Sequence, residues 1–451
     1  MRSVREEISA AAVRIQKTAA AVAELDALVS FAAVAGICLF TGRLWERWDG
    51  KLPRKGLGGK ALRFAAASLA TTLGAVVFTT PLSAYYFGSL SLIAPVTNLL
   101  TLWAVSGAFL GALAVALLGL LFPAAAALAA WAAALPVWYL QKMAELLSRL
   151  PFASVGTDSI YLRLWLLLGY ALLLLWLFWR GEQKRMLLPV GAGGLCLCAA
   201  LLLTAASRTS GRLSVSVLDV GQGQSVVLYS QGRCALVDCG GSGLSDPGDT
   251  AADYLQSLGT ARLDLLVLTH YHADHACGVP QLLERLEVER LLLPDVEPEE
   301  PLRREIEAAA QAHGVELVYL TQDAHVTLGG ASLRVYAPLG DGGANEEGLS
   351  VLCTAGAFDA LITGDMNAAV ERRLIKYGAL PDLELLVAGH HGSKYATSEE
   401  LLLATTPERA VLSVGYNTYG HPADETLERL AAAGCEIYRT DWMGTVRITA
   451  E

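Results

Sequence analysis

Charged residues are scarce in this sequence, at 17% of 451 residues, whereas hydrophobic residues make up 53%. So little charge excludes a soluble protein of average composition, in which about a quarter of the residues are charged. The charges are also unevenly divided. Residues 1–210 hold 18 Lys and Arg against 9 Asp and Glu, and residues 211–451 hold 16 against 35. The sequence therefore predicts two domains of different character, with a boundary between residues 210 and 211.

Cysteine motifs are absent as well. None of the eight cysteines forms a CxxC pair, and the five in residues 211–451 are an odd number, so the sequence lacks the pattern of a disulfide framework. A cleavable leader is not expected either. The first 25 residues show an amphipathic polar pattern instead of a short basic segment followed by an apolar one.

Long apolar segments dominate residues 1–210. A segment of about 20 apolar residues can cross the hydrocarbon core of a bilayer. The first candidate is short, and the third could be broken near Pro95. The sequence therefore predicts an N-terminal α-helical transmembrane bundle in the plasma membrane, with about six spans at 26–42, 63–87, 92–121, 123–146, 161–179 and 187–206.

Basic loops orient these spans. The loop 43–63 carries seven Lys and Arg against two acidic residues, and the loop 180–185 carries three against one. Basic loops favour the cytoplasmic side of a membrane, and an even number of predicted spans separates the two loops. The last span then leads to the opposite face, so we expect residues 211–451 to be extracytoplasmic.

Short strands and helices follow one another in residues 211–451. Alternating, β-branched segments such as LSVSV and CALVD predict strands. Helical patterns lie between the later strands. Strand runs with helices between them predict two sheets covered by helices, an αββα sandwich.

A dense group of possible metal ligands follows the predicted strand 264–269. Within six positions of the heptapeptide THYHADH stand four such residues: His270, His272, Asp274 and His275. Imidazole and carboxylate groups are the usual protein ligands of zinc and also suit manganese. We expect the two leading histidines to bind one ion. We expect Asp274 and His275 to bind a second.

Further ligands end other predicted strands. Asp365 ends the segment LITGD, where a carboxylate can bridge two metal ions, and His390 ends ELLVAGH, where it completes the second ion. Asp238 ends CALVD and is expected to orient a ligand histidine, as carboxylates around metal sites commonly do. The sequence therefore predicts a site for two divalent metal ions, zinc or manganese.

Several of these motifs resemble known families. HYHADH, ITGDM and AGHHGSKYATS are similar to the motifs of the metallo-β-lactamase fold. Within that superfamily, LDVGQGQS, VDCGG and YGHPADETLERL resemble the ComEC-type DNA internalisation competence proteins. The apolar segment PLSAYYFGSLSLIAPVTNLLTLW is similar to the end of that family's channel domain. The resemblance covers nearly the whole chain and implies a membrane channel domain followed by a hydrolase domain.

Three departures from the family pattern affect this interpretation. Members of the family are usually longer, so a separate chain could supply further channel helices. Gln224 stands where the family generally has an acidic residue. No histidine occurs between His325 and His390, where related proteins add a metal ligand. We therefore expect the first metal ion to have fewer protein ligands and to bind more weakly.

The resemblance implies hydrolysis of the phosphodiester bonds of the DNA strand that is not imported, on the outer face of the membrane. Its expected partners are single-stranded DNA, the membrane and other competence proteins. Asp274 is expected to serve catalysis as well as metal binding, and His391 or His421 to protonate the leaving oxygen. Lys394 is expected to act in catalysis and substrate binding, and the other predicted substrate contacts are Ser393, Gln222 and Asn345.

The acidity of residues 211–451 opposes a nuclease, because duplex binding is driven by the neutralisation of phosphates. Two alternatives therefore stay open. A membrane-tethered hydrolase of a small or surface phosphoester fits the acidity. A transport subunit with an inactive metal domain fits the missing histidine.

Overall fold

The computed structural model describes residues 23–86, 89–148, 150, 154–157, 159–178, 187–210, 213–243, 245–340 and 342–450. The chain divides into two compact units, Met1–Cys198 and Ala199–Glu451. The N-terminal region contains a short antiparallel pair of strands, β1 (Ser89–Ser91) and β2 (Ser154–Gly156). Its described helices are α1 (Ala23–Asp49), α2 (Gly56–Tyr86), α3 (Ala94–Leu121), α4 (Pro123–Ser148), α5 (Ile160–Phe178) and α6 (Leu187–Ser210).

Helices of membrane-spanning length confirm the prediction of an N-terminal helical membrane region. In the described part of the chain, α1 to α4 are long and apolar enough to cross a membrane. The described apolar portions of α5 and α6 are shorter, at Ile160–Leu173 and Gly191–Ser207. Helix α3 is not broken near Pro95. This proline lies in the first helical turn, where its missing N–H removes no helical hydrogen bond.

Small residues allow the helices of this region to approach closely. A β-carbon on Gly111 of α3 would lie 3.1 Å from the Ala133 β-carbon of α4. Between α1 and α2 the approach is closer, because a β-carbon on Gly36 would lie 2.1 Å from the carbonyl oxygen of Gly74. Small residues at crossing points are the usual means by which membrane helices pack.

We expect Gly36→Ala to destabilise the helical region by about 1–3 kcal/mol, because the added methyl group overpacks a backbone contact. Gly42→Ala is the matched control, since it lies on the same helix and no atom lies within 4 Å of its β-carbon. Thermal unfolding of the full chain in detergent measures both variants. Equal melting temperatures would contradict the close approach of α1 and α2.

The second unit contains two seven-stranded sheets. The first has the order β10 (Glu316–Leu320), β9 (Arg290–Pro294), β7 (Leu265–Val267), β5 (Arg233–Val237), β4 (Val226–Ser230), β3 (Leu213–Val217) and β18 (Val446–Ala450). The second has the order β11 (Ala324–Leu328), β12 (Ala331–Tyr336), β13 (Ser350–Ala355), β14 (Phe358–Ile362), β15 (Leu385–Val387), β16 (Arg409–Leu412) and β17 (Glu436–Arg439). A separate parallel pair consists of β6 (Arg262–Leu263) and β8 (Glu287–Val288).

Helices cover the outer faces of both sheets. Those of the first sheet are α7 (Pro247–Ser257), α9 (Val279–Arg285) and α10 (Pro301–Ala312), which contribute to one hydrophobic cluster. Those of the second are α11 (Ala368–Gly378), α12 (Glu399–Thr405) and α13 (Asp424–Ala432), which contribute to another. Two single-turn helices, α8 (Ala273–Ala276) and α14 (Thr440–Met443), lie in loops.

A third hydrophobic cluster contains residues of both sheets and therefore lies between them. Strand β4 contributes side chains to two hydrophobic clusters, because successive side chains of a strand point to opposite faces. Val226 and Leu228 join the cluster between the sheets, whereas Val227 and Tyr229 join the outer cluster. The predicted αββα sandwich is confirmed.

Parallel strands place the predicted ligands together. Strands β5 and β7 are parallel neighbours, as are β14, β15 and β16. Asp238 follows β5, the THYHADH segment follows β7, and Asp365 follows β14. Carboxyl ends of parallel strands meet at one edge of a sheet, which is where sites form in such sheets.

Candidate metal centre

Two groups of His and Asp side chains bring metal-binding atoms together. Within each group, the ligand atoms all lie within 4.8 Å of one another. Asp274 belongs to both groups. The larger group consists of Asp274, His275, Asp365 and His391, and the smaller of His270, His272 and Asp274.

Asp365 lies at the centre of the site, and its side chain is 2% exposed. Its Oδ1 lies 3.0 Å from His275 Nε2 and 3.9 Å from His391 Nε2. Its Oδ2 lies 3.6 Å from His390 Nε2 and 4.0 Å from His270 Nε2. Each oxygen of this buried carboxylate thus faces two imidazole rings. This arrangement suits a ligand that bridges two ions.

The acceptors behind His275 and His391 fix which ring nitrogen carries the proton. His275 Nδ1 lies 2.7 Å from a carboxylate oxygen of Asp238, and His391 Nδ1 lies 2.9 Å from the carbonyl oxygen of Ser413. Both partners only accept, so each Nδ1 donates, and a neutral ring then presents the lone pair of its Nε2. The two Nε2 atoms lie 3.3 Å apart. In neutral rings, lone pairs at this distance repel unless a proton or a metal ion lies between them, so the set of ligand atoms fits a metal ion.

The charges of the site also favour a cation. Burial opposes a charge on His275, but the carboxylates of Asp365 and Asp238 outweigh it and raise the pKa of the imidazole well above its ordinary value. Burial likewise opposes ionisation of Asp365, but His275 and His391 hold the pKa of this carboxyl well below its usual range. Burial, reinforced by His275, lowers the pKa of His270, whose buried Nε2 has no hydrogen-bond partner within the described part of the chain.

Asp238 stabilises the site from behind and is fully buried. Its carboxylate accepts the N–H and the hydroxyl of Thr269, at 2.7 and 2.8 Å, and the side-chain amide of Gln224, at 2.8 Å. Sequence reasoning assigned no role to Thr269, although this residue directly precedes the histidine motif. Gln224 supplies a donor here, where an acidic residue would bring a second negative charge beside Asp238.

We expect Asp238→Asn to weaken metal binding about 10- to 100-fold, as losses around metal ligands commonly do. The new amide would direct its own N–H groups at donors of Thr269 and His275. Asp264→Asn is the matched control, because Asp264 stands before β7 and binds Arg233 and the Cys234 N–H, away from both metal groups. Chelator titration of the metal-loaded full chain measures the difference, and equal affinities would contradict this role of Asp238.

A tight turn at Gly389–Gly392 positions the paired histidines. His390 and His391 both adopt left-handed conformations, with φ of 51° and 53°. The turn buries the His391 side chain and leaves that of His390 31% exposed. The sequence assigned His390 to the second ion. In the structure His391 joins the group of Asp274 and His275 instead, and His390 approaches the other oxygen of Asp365.

His421 lies at the outer side of this turn, with its ring centroid 5.5 Å from that of His390. Its buried Nδ1 has no hydrogen-bond partner among the described residues. Burial lowers the pKa of His421, and the nearby His390 and His391 lower it further. The ring is therefore neutral at neutral pH.

The remaining predicted residues lie at different depths around the site. Ser393 is buried and its hydroxyl accepts a backbone N–H, whereas Lys394 is exposed. Gln222 is buried, and its side-chain oxygen accepts a hydrogen bond from Asn417. Asn345 carries a buried Oδ1 without a hydrogen-bond partner in the described chain. Their contacts with substrate stay predictions.

Comparison with known proteins identifies two family regions. Residues 15–183 match the family described as Competence protein, and residues 218–416 match the Metallo-beta-lactamase superfamily. The chain is 28% identical to ComE operon protein 3 of Bacillus subtilis (strain 168) over 285 residues, which cover 59% of this chain and 37% of that protein. It is 31% identical to Competence protein ComA of Neisseria gonorrhoeae over 236 residues, covering 52% and 32% respectively.

The chain spans about a third of the length of these curated relatives. Among solved structures, the metallo-beta-lactamase fold protein YhfI from Bacillus subtilis is similar at 13% identity and a TM-score of 0.37, covering 52% of this chain and 99% of that one. The matched families agree with the resemblance of the sequence motifs. The chain therefore combines a region that matches the Competence protein family, whose helices are suited to a membrane, with a region that matches the metallo-β-lactamase superfamily.

Proposed function

We propose that this chain is a membrane-bound DNA uptake protein whose metal site hydrolyses the phosphodiester bonds of the strand that is not imported. One observation carries the proposal: a buried carboxylate, Asp365, faces four imidazoles in a domain joined to a Competence protein region. Two divalent ions held there, zinc or manganese, would activate water and neutralise the negative charge that develops on a phosphodiester.

The residues of the chain divide the remaining work. Asp274 belongs to both groups of ligand atoms, and Asp365 belongs to the larger group while its second oxygen faces His270 and His390. Asp238 holds His275 in the tautomer that binds metal. Both ring nitrogens of His391 are engaged, one by Ser413 and one by the metal group. This leaves His421 as the proposed residue that protonates the leaving oxygen; because its ring is neutral at neutral pH, it would first take up the proton that the attacking water releases.

The proposal extends to location and partners. The asymmetry of the basic loops supports an extracytoplasmic hydrolase domain, because such loops are retained on the cytoplasmic side. The proposed partners are single-stranded DNA, other competence proteins and a separate chain that supplies further channel helices. Labelling of a cysteine introduced at Glu400, an exposed position, with a membrane-impermeant reagent on intact cells tests the orientation. Protection of this cysteine would contradict it.

A second candidate is a membrane-tethered hydrolase of a small or surface-bound phosphoester. The excess of acidic residues in 211–451 favours it, because a polyanion gains affinity from basic residues. A transport subunit with an inactive metal domain has less support, since the hydrogen-bond acceptors behind His275 and His391 are in place.

The decisive assay uses the full chain in detergent. Single-stranded DNA is incubated with the protein and Mn²⁺ or Zn²⁺, beside a chelator control, and bis-p-nitrophenyl phosphate and a phosphorylcholine ester are tested in parallel. We expect metal-dependent cleavage of the DNA. Turnover of a small ester with the DNA left intact would refute the proposal and favour the tethered hydrolase.

A further inference from the structure

A groove of about 430 Å³ opens beside the metal centre. Its lining includes Asp274, Gln222, Tyr416 and Tyr419. The two tyrosines are 82% and 76% exposed. Rings so exposed contribute little to the core of the domain, so packing does not account for their position beside Asp274.

A row of aromatic rings connects the metal centre with this groove. Ring centroids are 6.3 Å apart between His391 and His390, 5.5 Å between His390 and His421, and 6.0 Å between His421 and Tyr419. These distances are typical of stacked and edge-to-face aromatic pairs. The row begins at a candidate metal ligand and ends in solvent, and it therefore marks a path along which flat, unsaturated groups can pack.

One side chain fixes the loop that carries both tyrosines. The Asn417 amide nitrogen lies 2.9 Å from the carbonyl oxygen of Gly415, 2.7 Å from that of His421 and 3.2 Å from the side-chain oxygen of Gln222. The Asn417 oxygen accepts the N–H groups of Tyr419 and His421. A loop held in this way is ordered before a ligand arrives, which lowers the entropic cost of binding.

The charges around the groove do not suit recognition through phosphates. Residues 211–451 hold 35 acidic residues against 16 basic ones. Lys394, just after the paired histidines, is exposed, and its Nζ lies 5.1 Å from the centroid of the Tyr395 ring. Stacking of a base on an aromatic ring needs no positive charge and tolerates any sequence. An acidic domain can therefore hold a nucleic acid strand by its bases.

We propose that the groove binds the unpaired base of a nucleotide next to the scissile phosphate, by stacking on Tyr416 and Tyr419. The inference rests on the proposed hydrolysis of single-stranded DNA and adds the residues that hold a base beside the scissile phosphate. A base inside a duplex is stacked on its neighbours and must leave the helix before it can enter a pocket. The groove thus selects single strands over duplexes.

The test separates binding from hydrolysis. The full chain in detergent, with chelator present, is titrated into fluorescently labelled short single strands, duplexes of the same sequence, and abasic strands with the same number of phosphates. We expect the double variant Tyr416→Ala/Tyr419→Ala to bind the single strand about 5- to 150-fold more weakly, as expected for the loss of one stacked base. Binding of the abasic strand, already weak, should not change.

Two matched variants complete the test. Tyr416→Phe/Tyr419→Phe keeps both rings and should keep the affinity of the wild type. Tyr377→Ala removes another exposed tyrosine, which lies on α11 and does not line the groove, and should also bind normally. Equal affinity for normal and abasic strands, or wild-type affinity of the double alanine variant, would overturn the inference.

Choline is the competing ligand to exclude, because aromatic rings also bind quaternary ammonium groups. Displacement of the strand by choline, without discrimination against the abasic strand, would assign the groove to a phosphocholine ester and overturn the inference. Hydrolysis is measured separately with metal present. Base-dependent binding without cleavage would refute the proposed function alone, and cleavage without base-dependent binding would refute the stacking groove alone.

Discussion

Asp365→Asn is expected to lower hydrolysis by about 10³-fold and to release metal from the site. The carboxylate contacts imidazoles with both oxygens, and an amide offers only one oxygen and no negative charge. Metal ions contribute several kcal/mol of transition-state stabilisation, and each 1.36 kcal/mol corresponds to a factor of ten in rate. Cleavage of single-stranded DNA by the full chain in detergent measures the rate, and elemental analysis of the same sample measures the metal.

Asp359→Asn is the matched control for this substitution. Asp359 lies on β14, the strand that precedes Asp365, and accepts a hydrogen bond from Thr354 at 2.5 Å, outside both metal groups. This variant should retain metal and activity. Thermal unfolding of both variants separates loss of metal from loss of fold. Full activity of Asp365→Asn with bound metal would contradict the central position of this carboxylate.

Most of the metal centre could be predicted from local sequence patterns. Each ligand segment directly follows a segment recognisable as a strand, and the carboxyl ends of parallel neighbouring strands meet at one edge. Asp238 and His270 follow the neighbours β5 and β7, and Asp365 and His390 follow β14 and β15. Recognition of the strands was therefore enough to predict that these residues converge.

Pairing between distant segments could not be predicted in the same way. Strand β18 at the end of the chain pairs antiparallel with β3, the first strand of the domain. Strand β9 lies between β7 and β10 in the first sheet. Neither segment was among the predicted strands. Both are short, and short apolar runs carry too little periodicity to identify a strand without knowledge of the partner.

The choice between His390 and His391 also lay beyond the sequence. A prediction that places the ligand where strand β15 ends favours His390. The backbone then adopts two consecutive left-handed conformations, which are uncommon for residues other than glycine. The second histidine is thereby turned inward. Such a turn depends on the surrounding loops, which also explains why Gln224 could be interpreted only after its contact with Asp238 was known.

The negative charge of the domain has opposite consequences for metal and substrate. The carboxylates of Asp274 and Asp365, whose pKa values are both lowered, favour divalent cations at the centre of the site. The same sign of charge over the domain repels the phosphates of a nucleic acid strand, with a strength that falls as salt rises. The proposed metal ions and the proposed aromatic stacking would both counter this repulsion locally. A strand is therefore expected to bind at one short stretch beside the metals and not along the surface of the domain.

His391→Ala is expected to remove one of the two proposed metal ions and to lower hydrolysis about 10²- to 10³-fold. His391 Nε2 lies 3.3 Å from Asp274 Oδ2 and 3.3 Å from His275 Nε2, so its loss opens the larger metal group. His390→Ala is the matched comparison at the adjacent position. Its ring is partly exposed and approaches Oδ2 of Asp365, whereas His391 approaches Oδ1. We therefore expect the ion of the larger group to remain in His390→Ala.

Metal stoichiometry of the two purified variants, measured beside the rate, distinguishes the two assignments. His391→Ala also removes the hydrogen bond to the Ser413 carbonyl, worth about 1 kcal/mol, so unfolding temperatures are compared as well. A modest loss of stability with loss of one ion identifies His391 as a ligand. Loss of that ion in His390→Ala, with both ions retained in His391→Ala, would instead identify His390 as the ligand of the second ion. Removal of a ligand must weaken the binding of the ion that it holds.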